Sequence, residues 1–277
     1  MTHRVSRSRS LGRHALLLVC VSITCFPVLY ALLISTFDFQ QVFIYPPRLI
    51  PGISLLENVG LAWSKVSLGR LLANSFVISI SVALGKTLLS ILAAFAFTYF
   101  RDFPGKNLLF VVILITHMLP LPVRIISTFQ LMDTLNWVNT YYALTIPFFA
   151  SATGTLLFRQ FFLTVPASLS DAARIDGAGP MRFLTRILMP LSYNNLVALF
   201  MVEFVYMWNE YLWPLIVTTS NEMRVAQIGI KMLVATDAQA EWNVIMAGVI
   251  LVMLPPLVIL LLTQNHFMRS VTFGQEK

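Results

Sequence analysis

The chain has 277 residues, of which 57% are hydrophobic and only 11% are charged, and its mean hydropathy is +0.78. Such a composition excludes a soluble globular protein with a solvated surface and places the chain in a lipid bilayer. The net charge of +7 is not arranged in basic runs interleaved with aromatic residues, so we expect it to face lipid headgroups and not nucleic acid.

Six apolar windows are long enough to cross a bilayer, since about 20 helical residues span a hydrocarbon core of about 30 Å. In chain order they cover residues 15–37, 71–100, 107–129, 143–163, 191–216 and 242–267. The sequence therefore predicts an all-α transmembrane fold of six helices, organised as one domain over residues 1–277.

Basic residues are concentrated in the segments that lie inside the cell if the N-terminus is inside. This bias predicts a multi-pass protein of a bacterial inner membrane with both termini in the cytoplasm. Residues 1–14 then form the cytoplasmic N-terminus, and residues 164–190 form the longest inside loop.

No pattern in the chain indicates catalysis. Gly85, Lys86 and Thr87 resemble the end of a nucleotide-binding P-loop, but Ile80 stands where that motif requires its first glycine. The histidines lack the spacing of metal ligands, and no serine lies in a nucleophile motif. We predict no catalytic residue, no metal site and no cofactor bound by this chain.

Four ionisable residues fall within the predicted spans or close to their outer ends, where charge is costly and usually faces a cavity or a partner. At a rise of about 1.5 Å per residue, Lys86 lies about 21 Å and Glu203 about 18 Å from the inner boundary. The same count places Arg124 at about 26 Å and Glu210 at about 28 Å. Two pairs of opposite charge therefore share a depth.

These pairs allow two interpretations. In the first, they are intramembrane ion pairs that tie helices together without touching solute. In the second, Lys86 and Arg124 bind a phosphate group, and Glu203 and Glu210 balance them in the empty site or attract a choline-like cation.

Trp208 and Asn209 lie near the outer end of the fifth window, close to Trp213. Tryptophan at that depth is typically an interfacial anchor. The alternative is that Trp208 and Asn209 belong to the solute pathway, with the indole as a stacking surface for a sugar ring or a quaternary ammonium.

The long inside loop contains two short helical patterns separated by Gly-Ala-Gly-Pro. Ser170 is placed to cap the first pattern, and Gly177 is placed to end it in the left-handed conformation. Pro180 suits the first position of the second pattern, which carries Phe183 and Ile187 on one face. The loop is thus predicted to form a rigid projection that docks with a soluble partner.

Asp171-Ala172-Ala173, followed after three residues by Gly177 and after nine more by Ile187-Leu188-Met189-Pro190, resembles the EAA loop of binding-protein-dependent ABC importer permeases. Asp171 replaces the usual glutamate of that motif, and Met189 replaces a leucine. The resemblance implies a type I importer fold in which this loop is a coupling helix. The residues it assigns to ATPase coupling are Asp171, Ala172, Ala173, Arg174, Asp176, Gly177, Pro180, Phe183, Ile187 and Pro190.

The same resemblance implies a transport subunit, not an enzyme, within a larger complex. Its implied partners are a sister permease, a homodimeric cytoplasmic ATPase that binds ATP and Mg²⁺, and an extracytoplasmic solute-binding protein. The segments 151–166, 171–183 and 211–215 are most similar to permeases for glycerol-3-phosphate and glycerophosphodiesters such as glycerophosphocholine. A neutral disaccharide as solute and, less favoured, an ion-driven secondary transporter remain the alternatives.

Overall fold

The structure, a computed structural model, describes residues 7–100, 103–117, 119–235 and 240–272, so part of the predicted N-terminal segment 1–14 lies outside it. All regular secondary structure in these residues is helical, which confirms the all-α class. The helices are α1 Arg7–Ile34, α2 Leu55–Lys65, α3 Leu68–Tyr99, α4 Lys106–His117, α5 Leu121–Thr134, α6 Tyr141–Thr145, α7 Ala152–Thr164, α8 Ala167–Ile175, α9 Pro180–Phe183, α10 Met189–Leu191, α11 Tyr193–Trp208, α12 Leu212–Val217, α13 Ala226–Ala235 and α14 Trp242–Thr272.

Three helices are individually long and apolar enough to cross a membrane within the described part of the chain. They are Gly12–Ile34 of α1, all of α3, and Trp242–His266 of α14, and they correspond to the first, second and sixth predicted spans. The α1 segment is apolar on every side and none of it is buried within the chain. Its surroundings must therefore come from lipid or from another subunit.

Two pairs of shorter helices are apolar and long enough to cross a membrane only when each pair is taken together. Tyr141–Phe148 and Ala152–Thr164 meet the length and hydropathy criteria together, with a bend of 41° between them. Pro180–Leu191 and Tyr193–Trp208 do so with a bend of 79°. By length and composition the described residues thus provide three spans, or up to five if each bent pair counts as one.

The third predicted span, 107–129, is not one helix. It divides into α4 and α5 around Pro120, whose extended conformation (φ −66°, ψ 149°) precedes the first residue of α5. Pro122 is accommodated in the first turn of α5, where its missing N–H leaves no intrahelical bond unmade. The two prolines therefore interrupt the span.

The fifth predicted span, 191–216, is also corrected. Helix α11 ends at Trp208, and residues 209–211 separate it from the short helix α12. The 79° bend at Ser192 means that the segment preceding α11 runs nearly across it and does not extend it.

The chain contains two compact units. The first comprises Met1–Gly69 and Gly229–Met253, and the second comprises Arg70–Ile228 and Leu254–Lys277. The single domain expected over 1–277 stays a prediction.

Amide side chains organise the interior of the first unit. Asn58 of α2 is buried, and its Nδ2 donates to the carbonyl oxygens of Ser35 and Phe37, at 2.9 and 2.7 Å. Its Oδ1 accepts a 2.8 Å hydrogen bond from Asn243 of α14. Because backbone carbonyls beyond the end of α1 have no helical partner, Asn58 satisfies them and fixes the turn from α1 into the following loop.

The second unit is built on close packing of α3, α7 and α11. At Gly154 of α7, a Cβ atom would lie 2.3 Å from Ser90 Oγ and 2.8 Å from Leu199 Cδ2. Any larger residue would therefore push these helices apart. The glycine sets their separation beside the charged site described below.

We predict that Gly154→Ala lowers the apparent melting temperature of the purified complex, because overpacking of this kind costs about 1–3 kcal/mol. The matched control is Gly60→Ala in α2, where the added Cβ meets nothing within 4 Å. That change should be neutral or stabilising, since alanine is the better helix former. Equal melting temperatures for the two variants would contradict the packing role of Gly154.

Candidate functional site

A buried ion pair joins α3 to α11. The Nζ atom of Lys86 lies 2.6 Å from Oε2 of Glu203, and their side chains are only 10% and 9% exposed. The sequence predicted that these two residues lie at the same depth, and the structure confirms this by placing them in direct contact. In a low-dielectric interior each charge needs the other, since either one alone would be an uncompensated buried ion.

Ser151 extends the pair to a third helix. Its hydroxyl donates to Oε1 of Glu203 at 3.1 Å and accepts from the backbone N–H of Gly154 at 3.1 Å, which makes Ser151 the N-cap of α7. The Nζ atom of Lys86 also lies 4.8 Å from the ring centroid of Tyr206, within range of a cation–π interaction. One polar network therefore positions α3, α7 and α11.

A cavity of about 320 Å³ opens beside this network and is lined by Lys86, Glu203, Tyr206 and Arg124. Arg124 lies in the first turns of α5 and is exposed, and the described part of the chain provides no ion-pair partner for it. Two cations against one carboxylate leave one positive charge on the cavity wall. A second cavity of about 430 Å³ shares Arg124 and Ser151 and adds the hydroxyls of Thr116 and Thr155.

The second predicted pair, Arg124 with Glu210, does not form among the described residues. Because α11 ends at Trp208, Glu210 lies beyond the helix, and its Oε1 accepts a hydrogen bond from the backbone N–H of Trp213 at 3.1 Å. Glu210 therefore caps the start of α12. The depth estimate was wrong in assuming a continuous helix through residue 210.

Trp208 differs from expectation, whereas Asn209 is exposed and its pathway role stays a prediction. Trp208 is 1% exposed and stacks on Phe204 at a centroid distance of 5.6 Å, so it presents no face to solute or to the membrane interface. Trp213 is fully buried and donates from its indole nitrogen to the carbonyl of Ala143 at 2.9 Å. The Nδ2 of Asn209 donates to the carbonyl of Val205 and so closes the end of α11.

The predicted coupling loop forms a compact helical knob, defined here as residues 167–191. Its first helix, α8, begins at Ala167 with Pro166 as N-cap, four residues earlier than the predicted cap at Ser170. Its last residue is Ile175, and Gly177 follows in the left-handed conformation, as predicted, with φ +74°. The N–H groups of Gly177 and Ala178 donate to the carbonyls of Arg174 and Ala173, which is the Schellman arrangement that favours glycine.

The inner face of the knob is apolar and buried. Ala173 and Phe183 are 5% and 4% exposed and pack with Phe95 of α3 and Phe158 of α7 in one cluster, with Ile187 against its edge. Pro180 opens α9 as predicted. The knob is thus fastened to the ends of the spans by hydrophobic contacts, which allows it to move with them as one body.

Pro190 has a structural consequence of its own. Proline provides no N–H for the carbonyl of Arg186, and its ring collides with that carbonyl in a regular α-helix. The preceding residues Leu184–Leu188 accordingly form a π-helical turn, which widens the helix just before the 79° bend.

The two most exposed large apolar side chains of the knob were not predicted from the sequence to be functional. Ile175 is 87% exposed and Met181 is 57% exposed. They are the kind of residue that marks a protein contact when surrounded by polar groups. In the sequence they could have been recognised as apolar residues on the polar face of a short amphipathic helix. The polar neighbours Asp171, Arg174 and Asp176 are exposed as well, and so is Ala172 of the motif.

Arg174 ties the knob to α3. Its Nε donates to the hydroxyl of Tyr99 at 3.4 Å, and its guanidinium lies 5.0 Å from the centroid of that ring. The hydrogen bond to Tyr99, more than any other contact, raises the pKa of Arg174. The side chain therefore stays charged at every physiological pH.

Residues 86–273, which contain both the ion pair and the knob, match the model of the binding-protein-dependent transport system inner membrane component family. The chain belongs to this family. It is an inner-membrane permease subunit of an ABC importer, with the type I fold, and it is not an enzyme. This assignment favours the ATP-driven importer over the ion-driven secondary transporter.

Curated relatives match along almost the whole chain. The sn-glycerol-3-phosphate transport system permease protein UgpE of Escherichia coli O1:K1 is 45% identical over 270 residues, covering 95% of this chain and 96% of its own length. The proteins of the same name from Escherichia coli K12 and Yersinia pestis bv. Antiqua are each 44% identical over the same length.

Solved structures share the fold. A bacterial ABC transporter involved in the import of the acidic polysaccharide alginate matches with a TM-score of 0.83 and 19% identity, covering 96% of this chain and 99% of that chain. The alginate transporter in complex with its pentasaccharide-bound periplasmic protein matches with a TM-score of 0.58 and 16% identity, covering 95% and 97%.

We predict that Lys86→Met strongly destabilises the subunit, because removing one partner of a buried pair costs about 3–5 kcal/mol. Lys86→Met combined with Glu203→Gln should recover most of this loss. The control is Lys65→Met, which breaks an ion pair of the same 2.6 Å length to Glu241 whose side chains are 27% and 31% exposed. Exposed pairs contribute about 0–1 kcal/mol, so this variant should melt near the parent. A double variant no more stable than Lys86→Met would contradict the pairing argument.

Proposed function

We propose that this subunit forms half of the translocation pathway for glycerol-3-phosphate or glycerophosphodiesters such as glycerophosphocholine. The observation that carries the proposal is the excess positive charge of Arg124 in the cavity beside the Lys86–Glu203 pair. The 45% identity to permeases named for sn-glycerol-3-phosphate transport supports the same solute class.

Arg124 is the cation available to a solute phosphate. Lys86 is held at 2.6 Å by Glu203 and directed over Tyr206, so its charge is largely neutralised. Arg124 is exposed on the wall of both cavities and can donate two parallel hydrogen bonds to phosphate oxygens. Lys86 and Glu203 then serve to hold the pathway helices in place around the site.

The hydroxyls of the second cavity complement a glycerol moiety. Thr116 and Thr155 donate their protons to the carbonyls of Ile113 and Ser151, at 2.8 Å each. Their oxygens are left as acceptors for solute O–H groups. A solute that combines an anionic phosphate with hydroxyl donors satisfies Arg124 and these oxygens together, whereas a neutral disaccharide would leave the charge of Arg124 uncompensated.

The helical knob is the element through which a partner ATPase acts in this proposal. Its partners are a homodimeric cytoplasmic ATPase that holds ATP and Mg²⁺, a sister permease, and an extracytoplasmic solute-binding protein. Both termini and the knob lie on the cytoplasmic side of the bacterial inner membrane. Exposed Ile175 and Met181 are offered to the ATPase, while buried Ala173 and Phe183 carry its motion to α3 and α7.

We predict that Arg124→Gln lowers uptake of glycerol-3-phosphate by about tenfold or more, since a charge-assisted bidentate contact contributes about 1.5–3 kcal/mol. Basal ATPase activity of the complex should be unchanged. The matched control is Arg48→Gln, which changes an exposed arginine in the loop between α1 and α2, distant in sequence from Arg124. Equal losses of uptake and basal ATPase activity would instead assign Arg124 a structural role.

Solute-stimulated ATPase activity of the reconstituted complex with its binding protein tests the solute class directly. Glycerol-3-phosphate, a glycerophosphodiester and a neutral disaccharide should be compared at equal concentration. We expect stimulation by the two phosphate compounds alone. Stimulation by the disaccharide would leave the importer and its knob in place but would remove the solute role of Arg124.

We predict that Gly177→Val uncouples ATP hydrolysis from uptake while membrane insertion is retained. A β-branched residue at φ +74° is strained by about 1–2 kcal/mol and would release the Schellman turn that joins α8 to α9. Gly179→Val is the matched control, because Gly179 has φ −67° and ψ 169° and open space around its Cβ position. Full uptake by the Gly177→Val complex would refute the coupling role of the knob.

A further inference from the structure

Tyr206 of α11 lies in the ion-pair site, and the proposed function gives it no contact with solute. It is 50% exposed and lines the cavity of about 320 Å³ together with Arg124. Glu203 lies three residues before it on α11, so the two side chains share one face of that helix. The Nζ atom of Lys86, which Glu203 binds, lies 4.8 Å from the centroid of the Tyr206 ring. The ion pair therefore holds the ring at the cavity wall.

The hydroxyl of Tyr206 has no hydrogen-bond partner among the residues that the structure describes. A phenol hydroxyl can donate and accept, and it is usually paired where its ring is partly buried. The neighbouring carboxylate is already engaged, since Oε2 of Glu203 contacts Lys86 and its Oε1 accepts from Ser151. Tyr206 thus offers a donor to a solute beside Arg124.

Glu210 is a second carboxylate near this ring. It acts electrostatically on Tyr206, as Glu203 and Arg124 also do. Its Oε1 accepts from the backbone N–H of Trp213, and Glu210 is not among the residues that line the cavity. An anion in the cavity therefore contacts Arg124 and Tyr206 and not Glu210.

Phosphate esters differ in how many oxygens they present to such donors. A phosphodiester has two non-bridging oxygens, which one guanidinium can bind in parallel. A phosphomonoester has three, and above its second pKa of about 6 all three are unprotonated acceptors. Arg124 can therefore pair with two oxygens of either ester. The third oxygen of a monoester needs another donor.

We propose that Tyr206 is a specificity-determining residue whose hydroxyl donates to the third oxygen of a phosphomonoester bound by Arg124. This role rests on the phosphate contact proposed for Arg124. In a phosphodiester a second ester oxygen replaces the charged one, so the hydroxyl loses its charged acceptor. The site then transports the dianion of glycerol-3-phosphate faster than it transports glycerophosphocholine.

Tyr206→Phe tests this contact, because it removes the hydroxyl and keeps the ring beside Lys86. The complete importer is reconstituted in liposomes with ATP inside, and saturating binding protein loaded with either solute is added outside. We expect glycerol-3-phosphate uptake to fall about tenfold, as for one lost hydrogen bond to a charged group, and glycerophosphocholine uptake to change less than about twofold. Equal losses for both solutes, no loss for either, or a larger loss for glycerophosphocholine would overturn the proposal.

Tyr193→Phe is the matched control. Tyr193 lies on the same helix and is 53% exposed, but it does not line the cavity. This variant should transport both solutes at the rates of the parent. A shift in the ratio of the two rates as large as that of Tyr206→Phe would count against a local contact at Tyr206.

The pH dependence provides a readout that a purely structural role of Tyr206 would not change. The diester keeps one negative charge throughout, so its uptake serves as the reference. In the parent, the ratio of glycerol-3-phosphate to glycerophosphocholine uptake should rise from about pH 5 to about pH 7, because the monoester loses its second proton near pH 6. Tyr206→Phe should make this rise smaller, and an equal rise in the variant would refute the contact.

Arg124→Gln separates a failed role of Tyr206 from a failed phosphate site. If Arg124→Gln lowers uptake of both solutes and Tyr206→Phe leaves their ratio unchanged, the phosphate site stands and Tyr206 has no part in its specificity. If Arg124→Gln leaves uptake of both solutes unchanged, the proposed phosphate site is refuted, and the role of Tyr206 is refuted with it.

Discussion

The buried contact between Lys86 and Glu203 is the constraint on which the second unit depends. Two charges are held almost out of solvent at 2.6 Å, and Ser151 occupies the remaining carboxylate oxygen. Because separating them would leave isolated ions in an apolar interior, α3, α7 and α11 cannot slide independently. The close approach at Gly154 adds a steric limit in the same place. Electrostatics and packing thus specify one arrangement of the pathway helices.

That arrangement decides which cation beside the cavity is left without a carboxylate partner. Glu203 neutralises Lys86, and Glu210 is used to cap α12, so neither carboxylate pairs with Arg124. The guanidinium remains on the cavity wall, where it is the strongest ligand for an anion. In the proposed function, the balanced pair keeps the site rigid and the unbalanced cation makes it selective for an anion. In the proposed function, the structural interpretation applies to Lys86 and Glu203, and the solute-binding interpretation applies to Arg124.

The shape of the knob follows from a few residues of a short motif. Gly177 makes the turn, Pro190 widens the helix into a π turn, and the bend at Ser192 sets the knob across α11. Ala173 and Phe183 fasten it to the spans. The residues of the motif thus divide between those that shape the knob, those that anchor it and those left exposed to a partner.

Length, hydropathy and motif spacing determined the membrane location, the all-α class, the knob and its glycine, because each depends on residues close together in the chain. The tertiary structure decided the rest. Lys86 meets Glu203 across 117 positions, and only packing could place them in contact while leaving Arg124 unpaired among the described residues. The prediction from the sequence also assumed that each apolar window forms one unbroken helix. The breaks at Pro120 and after Trp208 arise because turn and cap geometry outweighs hydropathy at these positions. As a result Glu210 lies beyond the end of α11, and Trp208 is buried at its last residue.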